Sequence, residues 1–481
     1  MLYQLKKLTA CLLLSTIATT SLANDDLPEI GTAGAGVLTI QKEKEYGWAF
    51  KMMAQQSLPV VRDPVLNNYL TKLGENIVSH ADSVKLPFEF FLVEDDEINA
   101  AAFLGGNIKI NTGLFIYADT ESELASVIAH EVAHITQRHL ARMLEKQALS
   151  NPASMAALAG SVLLAIIAPA AGFAALTSTF AINIQNQINY TRANEYEADR
   201  IGIQTLAQAG YNPYGMADFF GKLANKYKYA SSQPQMLLTH PLPETRLAEA
   251  RLRASQLINK HIKKSLDYQL SKARIIVRFN SGNAASLISR YKSELSNKSY
   301  QVKAAAQYGL ALAFFKNQQL DLAEKLNNQL LDEAPDNLFY IDLATDISLS
   351  TNKNEQAITR LTDYEKRYTS NAVSTLNLVI ALKKDKQYAL ADKKLSYFIR
   401  NHPDHILAHL VAIDLYKETK EKAKEFATKA EYLALLGRFK EASEQMGSAL
   451  AYTDKKLDQA RYSAKIEEYK RGDLRLKELQ E

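Results

Sequence analysis

The pattern of hydrophobic and polar positions predicts helices first and strands second. Apolar residues recur with a helical period over residues 41–55 and 63–80. Short apolar runs follow: residues 88–93 predict a strand, and residues 99–111 predict a hairpin around Gly105-Gly106. We therefore expect a small antiparallel sheet within a mainly helical first part.

Two longer helices are predicted next. Thr120 and Glu123 form a capping-box pattern, and no Gly or Pro interrupts the helix expected over residues 121–146. A second helix, over residues 193–208, is closed by Gly210. The segment 147–191 between the two helices contains no charged residue.

From about residue 265 the pattern predicts helices throughout, with an internal repeat. Residues of similar character recur 34 positions apart, which is the tetratricopeptide period. They are Leu310, Ala344 and Leu378; Ala323, Ala357 and Ala391; and Pro335, Thr369 and Pro403. Units 304–337 and 372–405 match well, unit 338–371 is degenerate, and a further unit at 433–449 is out of phase. We expect a curved solenoid of helix pairs whose concave face binds protein.

Composition excludes a mostly disordered chain, a collagen-like chain and a polytopic membrane protein. Of 481 residues, 47% are hydrophobic and 23% charged, which is typical of a globular chain with more than one domain. Lys and Arg number 57 against 53 Asp and Glu, and this balance argues against a nucleic-acid partner.

The first 23 residues resemble a secretory signal peptide. Lys6 and Lys7 precede an apolar stretch too short to span a bilayer, and Ser21-Leu22-Ala23 is a small-x-small cleavage site. A lipidation motif ending at Cys11 is the weaker alternative, because the apolar run continues beyond it. Cleavage near Ala23 would leave no cysteine, and an exported chain without disulfides suits the bacterial periplasm.

The candidate chemistry begins with His130-Glu131-Val132-Ala133-His134 on the predicted long helix. Imidazoles at positions i and i+4 point the same way and can share one metal ion. Glu131 lies beside them and is free to act as general base on a bound water. This H-E-x-x-H pattern on a helix is a signature of zinc proteases.

The second predicted helix offers a further pair, Glu195 and Asp199, again at i and i+4. Glu195 can supply the third metal ligand, and Asp199 can accept a hydrogen bond from a ligand imidazole. Ala198 and Gly202 leave a face of small residues for close helix packing. Glu197 is expected to face away from Glu195.

These motifs, with the strand that contains Asn99-Ala100-Ala101-Ala102, resemble the gluzincin metallopeptidases, the family that includes HtpX and the CAAX prenyl proteases. The domain order resembles periplasmic members with a tetratricopeptide C-terminal half. The resemblance implies one Zn²⁺ held by His130, His134 and Glu195, with Glu131 as base. It also implies partners: unfolded or stalled outer-membrane β-barrel proteins, and the β-barrel assembly machinery, bound by the repeats.

Two other histidines are candidates for the site. His139 is nine residues from His130, on the opposite face of a continuous helix, and is expected to lie outside the site. His240 belongs to a Thr-His-Pro string that ends at Arg246 and recurs in the resembling family. It is expected near the metal, either as a fourth ligand that keeps the enzyme latent or as a transition-state stabiliser. Arg246 would stabilise an oxyanion or brace the loop.

The uncharged segment 147–191 cannot be a single membrane span if His134 and Glu195 share a metal ion, since one crossing would separate them by about 30 Å of hydrocarbon. We expect a mobile apolar flap over the site that contacts the membrane surface or a partner; the alternative is a buried core hairpin.

The sequence therefore predicts a signal peptide (1–23), an α+β zinc metalloprotease domain (24–264) and an all-α tetratricopeptide-type solenoid (265–481). The function expected is that of a periplasmic zinc endopeptidase with a chaperone-like role in outer-membrane protein assembly and quality control. The alternative is a protein-binding scaffold or chaperone with a latent protease site.

Overall fold

The computed structural model describes residues 38–150, 184–229, 235–257, 264–280, 282–368 and 371–479, although the side chains of 147–150, 184–191 and 235 are not included. The predicted signal peptide and residues 151–183 of the predicted flap lie outside these ranges and stay predictions. Within the described ranges, no helix combines the length and apolarity needed to cross a membrane.

The first part of the chain is mainly helical around one small sheet. Its elements are α1 (Ile40–Ser57), α2 (Pro64–Val78), β1 (Glu89–Val93), β2 (Ala100–Phe103), β3 (Asn107–Asn111), α3 (Thr112–Tyr117), α4 (Glu121–Thr136), α5 (His139–Ser150), α6 (Ile184–Gln208), α7 (Tyr214–Tyr227), α8 (Gln235–Thr239) and α9 (Glu244–Gln256). The helices predicted over 41–55 and 63–80 are confirmed as α1 and α2.

The sheet has the order β1-β3-β2, so β2 lies at an edge. The hairpin of β2 and β3 is antiparallel as predicted, and it turns through Gly105 and Gly106 with φ of 74° and 86°, a backbone region that favours glycine. β1, however, pairs with β3 in parallel. The prediction of a wholly antiparallel sheet is therefore wrong. The sheet is mixed, because β1 pairs with the second strand of the hairpin, β3, and runs in the same direction.

The long helix predicted over 121–146 is interrupted. α4 begins at the Thr120 cap, whose Oγ1 accepts from the Glu123 amide at 3.2 Å, but it ends at Thr136. Arg138 has a φ of 53°, which is rare for a residue with a side chain, and α5 then starts in a new direction. The guanidinium of Arg138 is buried and pairs with Glu43 of α1 at 3.0 Å, so a contact distant in sequence holds the break.

The second part of the chain consists of helix pairs. They are α10 (Leu266–Arg278), α11 (Ala284–Ser296), α12 (Lys303–Lys316), α13 (Leu320–Glu333), α14 (Leu338–Ser350), α15 (Asn354–Arg367), α16 (Ala372–Lys384), α17 (Tyr388–Asn401), α18 (Ile406–Glu418), α19 (Lys422–Leu435), α20 (Phe439–Ala451) and α21 (Lys456–Glu478). The predicted all-α tetratricopeptide-type solenoid agrees with this arrangement.

The 34-residue period is visible in the backbone as well as in the side chains. In each helix pair, one left-handed residue lies in the turn between the two helices. These residues are 34 positions apart: Gln318, Asn352, Lys386 and Lys420. The repeated alanines 323, 357 and 391 are fully buried. The unit with the degenerate sequence therefore forms the same helix pair as its neighbours.

The two parts of the chain share one hydrophobic core and one buried ionic network. Arg274 of α10 is 1% exposed, and its Nε donates to Asp63 Oδ2 at 2.8 Å, at the N-terminus of α2. Its other nitrogens lie 2.9 Å from Tyr308 Oη and 2.7 Å from Asp342 Oδ2. Burial alone would raise the pKa of Asp342, but attraction to Arg274 and Arg278 outweighs it and lowers that pKa. Solenoid and protease parts are thus tied through charge as well as apolar packing.

Replacing Arg274 by Met should destabilise the whole protein, because Asp63 and Asp342 would stay buried without the cation that they share. We expect a loss of about 3–5 kcal/mol in urea unfolding. Arg290→Met, at an exposed arginine, should change stability by about 0.5 kcal/mol or less.

The effect should also depend on pH. Because the pKa of Asp342 is lowered in the folded state, its contribution is present above the pKa of an unfolded Asp and is lost as pH falls through the folded value. The gap between wild type and Arg274→Met should therefore narrow in acid. Equal unfolding midpoints of wild type and Arg274→Met at neutral pH would contradict a stabilising role for the buried Arg274 network.

Candidate metal centre

Helix α4 supplies the first three residues of the site. His130 and His134 lie one turn apart on it, and their Nε2 atoms are 3.0 Å from each other. His130 is 4% exposed and Glu131 is 1% exposed. The H-E-x-x-H motif therefore lies on a buried helix, with both imidazoles directed at one point.

Helix α6 brings a carboxylate to the same point because it packs very closely on α4. A Cβ atom at Gly202 would lie 3.2 Å from the Cα of His130, so a side chain there would force the helices apart by a few tenths of an ångström, which agrees with the predicted small-residue face. Glu195 consequently reaches both imidazoles: its carboxylate oxygens lie 3.4 Å from His130 Nε2 and 3.4 Å from His134 Nε2.

His240 enters from the end of the short helix α8. Its Nδ1 lies 3.0 Å from Glu195 Oε1 and 3.4 Å from His130 Nε2. The four residues His130, His134, Glu195 and His240 thus each present a ligand atom, and all four atoms lie within 4.8 Å of one another.

This donor set fits a tetrahedral divalent ion. With bonds of about 2.05 Å to nitrogen or oxygen, the edges of a tetrahedron around zinc measure about 3.3 Å. Five of the six separations between ligand residues are 3.0–3.4 Å, close to that value, and the sixth, between His134 and His240, is at most 4.8 Å. Three imidazoles with one carboxylate also suit zinc better than magnesium or calcium, which prefer oxygen ligands alone.

The charges of the cluster favour a bound cation. Burial alone would raise the pKa of Glu195, but His240, His130 and His134 outweigh it and hold that pKa well below its ordinary range. Burial would lower the pKa of His130, but Asp199 and Glu195 raise it to about 10. Burial lowers the pKa of His134 to about 3. The carboxylate of the cluster therefore stays ionised, as a metal ligand must be.

Glu131 is oriented by the edge strand. Its Oε2 accepts a hydrogen bond from the Ala102 amide of β2 at 2.9 Å. Its Oε1 is buried without a hydrogen-bond partner among the described residues and lies 3.6 Å from His240 Nε2. Burial raises the pKa of this carboxyl. One oxygen is thus fixed and the other remains available to take a proton.

Asp199 and Arg246 form a buried layer behind His130. Asp199 Oδ1 lies 3.0 Å from His130 Nδ1. Arg246, 2% exposed, binds both oxygens of Asp199 at 2.7 Å, lies 2.9 Å from Glu195 and donates to the carbonyl of Pro241 beside His240. These contacts favour the bracing alternative for Arg246 over the oxyanion alternative, because they engage all three of its nitrogens.

His139 lies where the sequence did not predict it. Because α4 ends before Arg138, the 180° separation calculated for a continuous helix does not apply; His139 stays outside the ligand cluster, as expected, but it contacts one of the ligands. Its Nδ1 lies 2.8 Å from His134 Nδ1. No local signal marks the break, since neither Gly nor Pro is present; the Arg138–Glu43 contact produces it.

Glu197 is the partner of His139. It stays outside the four-residue cluster, as expected, but its Oε2 lies 3.1 Å from His139 Nε2 and accepts from Arg142 at 2.6 Å. Hydrogen bonds from His139 and Arg142 lower the pKa of Glu197 to about 2, and burial lowers that of His139. Glu197 therefore lies outside the ligand cluster and holds His139, the group behind the ligand His134.

Comparison with known proteins agrees with this geometry. Residues 64–254 match the model of peptidase family M48. The chain is 41% identical to the putative beta-barrel assembly-enhancing protease of Vibrio cholerae, with 95% of this chain and 96% of that protein covered. It is 42% identical to the beta-barrel assembly-enhancing protease of Escherichia coli K12 (94% and 93% covered) and 39% identical to that of Yersinia pestis (95% and 94%).

M48 enzymes are metallopeptidases, and the buried His and Glu side chains here suit their divalent metal. The similarity to the three relatives includes the solenoid as well as the metal centre. The chain therefore belongs to peptidase family M48, among the beta-barrel assembly-enhancing proteases.

Proposed function

We propose that this protein is a zinc endopeptidase of the bacterial periplasm that degrades misassembled outer-membrane β-barrel proteins and assists the assembly of others. The observation that carries the proposal is the convergence of His130, His134, Glu195 and His240 within 4.8 Å, with Glu131 adjacent. Export rests on the signal-peptide pattern of residues 1–23, and the substrate class on the names of the three relatives.

In this proposal His130, His134 and Glu195 hold the zinc. The bound ion would lower the pKa of its water to about 7 and polarise the scissile carbonyl. Glu131 would take a proton from the attacking water at Oε1 and pass it to the leaving nitrogen. Asp199 holds His130 in the tautomer whose Nε2 lone pair faces the ligand cluster, and Arg246 holds Asp199 and the His240 loop in place.

The substrate is proposed to bind as an additional strand on β2. This strand is at the edge of the sheet, and its Ala102 amide points at Glu131, so an extended chain paired with β2 would pass the base. Main-chain pairing selects for unfolded segments rather than for sequence, because a folded protein cannot present a free strand.

The solenoid is proposed to recruit the β-barrel assembly machinery and its client chains. A cavity of about 980 Å³ lies between α1 and helices α17–α21, and six Lys or Arg side chains line it against four Asp or Glu. Its excess of positive charge suits an acidic segment of a partner. Since the solenoid shares the core and the Arg274 network with the protease part, substitutions test this better than deletion of residues 265–481.

The first test of the proposal is Glu131→Gln in the full-length protein. The amide keeps the bond from Ala102 but cannot take a proton, so cleavage of unfolded casein should fall by about 10²–10⁴-fold. Zinc content should stay at one per chain. Glu249→Gln, on the outer part of α9, should cleave like wild type; undiminished cleavage by Glu131→Gln would reject the mechanism.

His240→Ala tests whether the enzyme is latent. If His240 is a fourth ligand that excludes the reacting water, its loss should raise the initial cleavage rate, on the order of tenfold for a latch worth about 1.4 kcal/mol. Zinc should remain bound by the other three ligands. A fall in rate at equal zinc occupancy would reject the latch and support the alternative in which His240 stabilises the tetrahedral intermediate.

Arg400→Glu combined with Arg471→Glu tests the cavity. Both side chains are exposed and line it, so reversing their charge should abolish co-purification with the assembly machinery while casein cleavage stays at the wild-type rate. Arg290→Glu with Arg367→Glu, exposed solenoid arginines outside the cavity, is the matched control. Unchanged co-purification in the cavity variant would remove the cavity from partner binding.

A further inference from the structure

The two metal-binding imidazoles of α4 are supported differently. Behind His130 the neighbouring group is a carboxylate, Asp199, whose Oδ1 lies 3.0 Å from Nδ1. Behind His134 it is another imidazole: His139 Nδ1 lies 2.8 Å from His134 Nδ1. The ring centroids of His134 and His139 are 4.8 Å apart with planes at 81°, so the two rings do not stack.

If His134 binds a metal ion, only one arrangement of protons also satisfies its contact with His139. Its Nε2 faces the ligand cluster, 3.0 Å from His130 Nε2, and must keep a lone pair there to bind a metal. The ring proton is then on Nδ1, and the 2.8 Å contact requires His139 Nδ1 to accept it. His139 consequently carries its own proton on Nε2, where Glu197 Oε2 accepts it at 3.1 Å.

Glu197 is itself held in place. Arg142, one turn after His139 on α5, donates to Glu197 Oε2 at 2.6 Å and to Asn194 Oδ1 at 3.2 Å. Because Asn194 and Glu197 are on α6, these bonds attach the start of α5 to the helix that supplies Glu195. The Glu43 contact of Arg138 holds the break that turns His139 toward His134.

We propose that His139 and Glu197 are positioning residues for the metal ligand His134: the chain His134 Nδ1–H to His139 Nδ1, and His139 Nε2–H to Glu197, fixes the tautomer and ring orientation of His134. Neither residue joins the ligand cluster. The inference rests on the proposed function, since it concerns how one imidazole is prepared for zinc.

The test compares zinc affinities of full-length variants, measured by competition with a chelator. His139→Leu removes the acceptor and should weaken zinc binding by about 10–100-fold, the usual cost of losing such an outer partner. His139→Asn, whose Oδ1 can accept from His134 Nδ1–H, should recover most of that loss. His80→Leu, at an exposed histidine, should bind zinc like wild type.

Glu197→Ala provides a second route, because this side chain is 29% exposed and its loss should leave the fold intact. We expect a smaller loss of zinc affinity, roughly tenfold. Glu249→Ala, at a carboxylate of similar exposure paired with Arg253, is its control. Thermal unfolding of the metal-free proteins measures separately the stability that Glu197 contributes through Arg142, so zinc affinities are compared at a temperature at which every variant is folded.

The outcomes distinguish a failure of the hydrogen-bonded chain from His134 through His139 to Glu197, called the relay, from a failure of the proposed function. If wild type binds zinc and cleaves casein but His139→Leu and Glu197→Ala keep the wild-type affinity, the relay is wrong and the protease stands. Equal losses in His139→Leu and His139→Asn would also overturn it, since packing alone would then explain His139. If His139→Leu does not fold, Glu197→Ala decides. A wild-type protein that binds no zinc would remove the proposed function and the relay together.

Discussion

The close crossing of α4 and α6 is the constraint on which the site depends. His130 and His134 are one turn apart on one helix, but Glu195 is more than sixty residues later, and the three can share an ion only if the two helices pack closely. Gly202 permits that approach, because a Cβ there would lie 3.2 Å from the His130 Cα. The other residues near the site pack around this crossing or form ion pairs with the charged side chains that it brings together.

Burial gives the crossing its chemical character. His130, Glu131, Glu195, Asp199 and Arg246 are each at most 4% exposed, so every charge needs a partner. Arg246 forms ion pairs with Asp199 and Glu195, and a divalent cation would bind the ligand atoms that converge beside them. The outer layer continues this logic behind His134 through His139, Glu197 and Arg142. The solenoid contributes as well, because its Arg274 fixes the N-terminus of α2.

Local patterns sufficed for most of the fold and of the ligand cluster, for physical reasons. The spacing of His130 and His134 fixes a shared helix face, and the 34-residue repeat fixes the helix pairs. The break at Arg138 and the parallel pairing of β1 were missed because tertiary contacts produce them: Glu43 is 95 positions from Arg138. The break turns His139 toward His134, which one continuous helix over 121–146 would not allow, and Glu197, outside the ligand cluster, pairs with it.

The most direct test of the central claim is anomalous diffraction at the zinc edge from crystals of the full-length protein. The account predicts one anomalous peak per chain, bonded to His130 Nε2, His134 Nε2 and a Glu195 oxygen at about 2.0–2.2 Å, with His240 Nδ1 or water completing the tetrahedron. A peak elsewhere, or a site that uses other residues in place of Glu195, would contradict it.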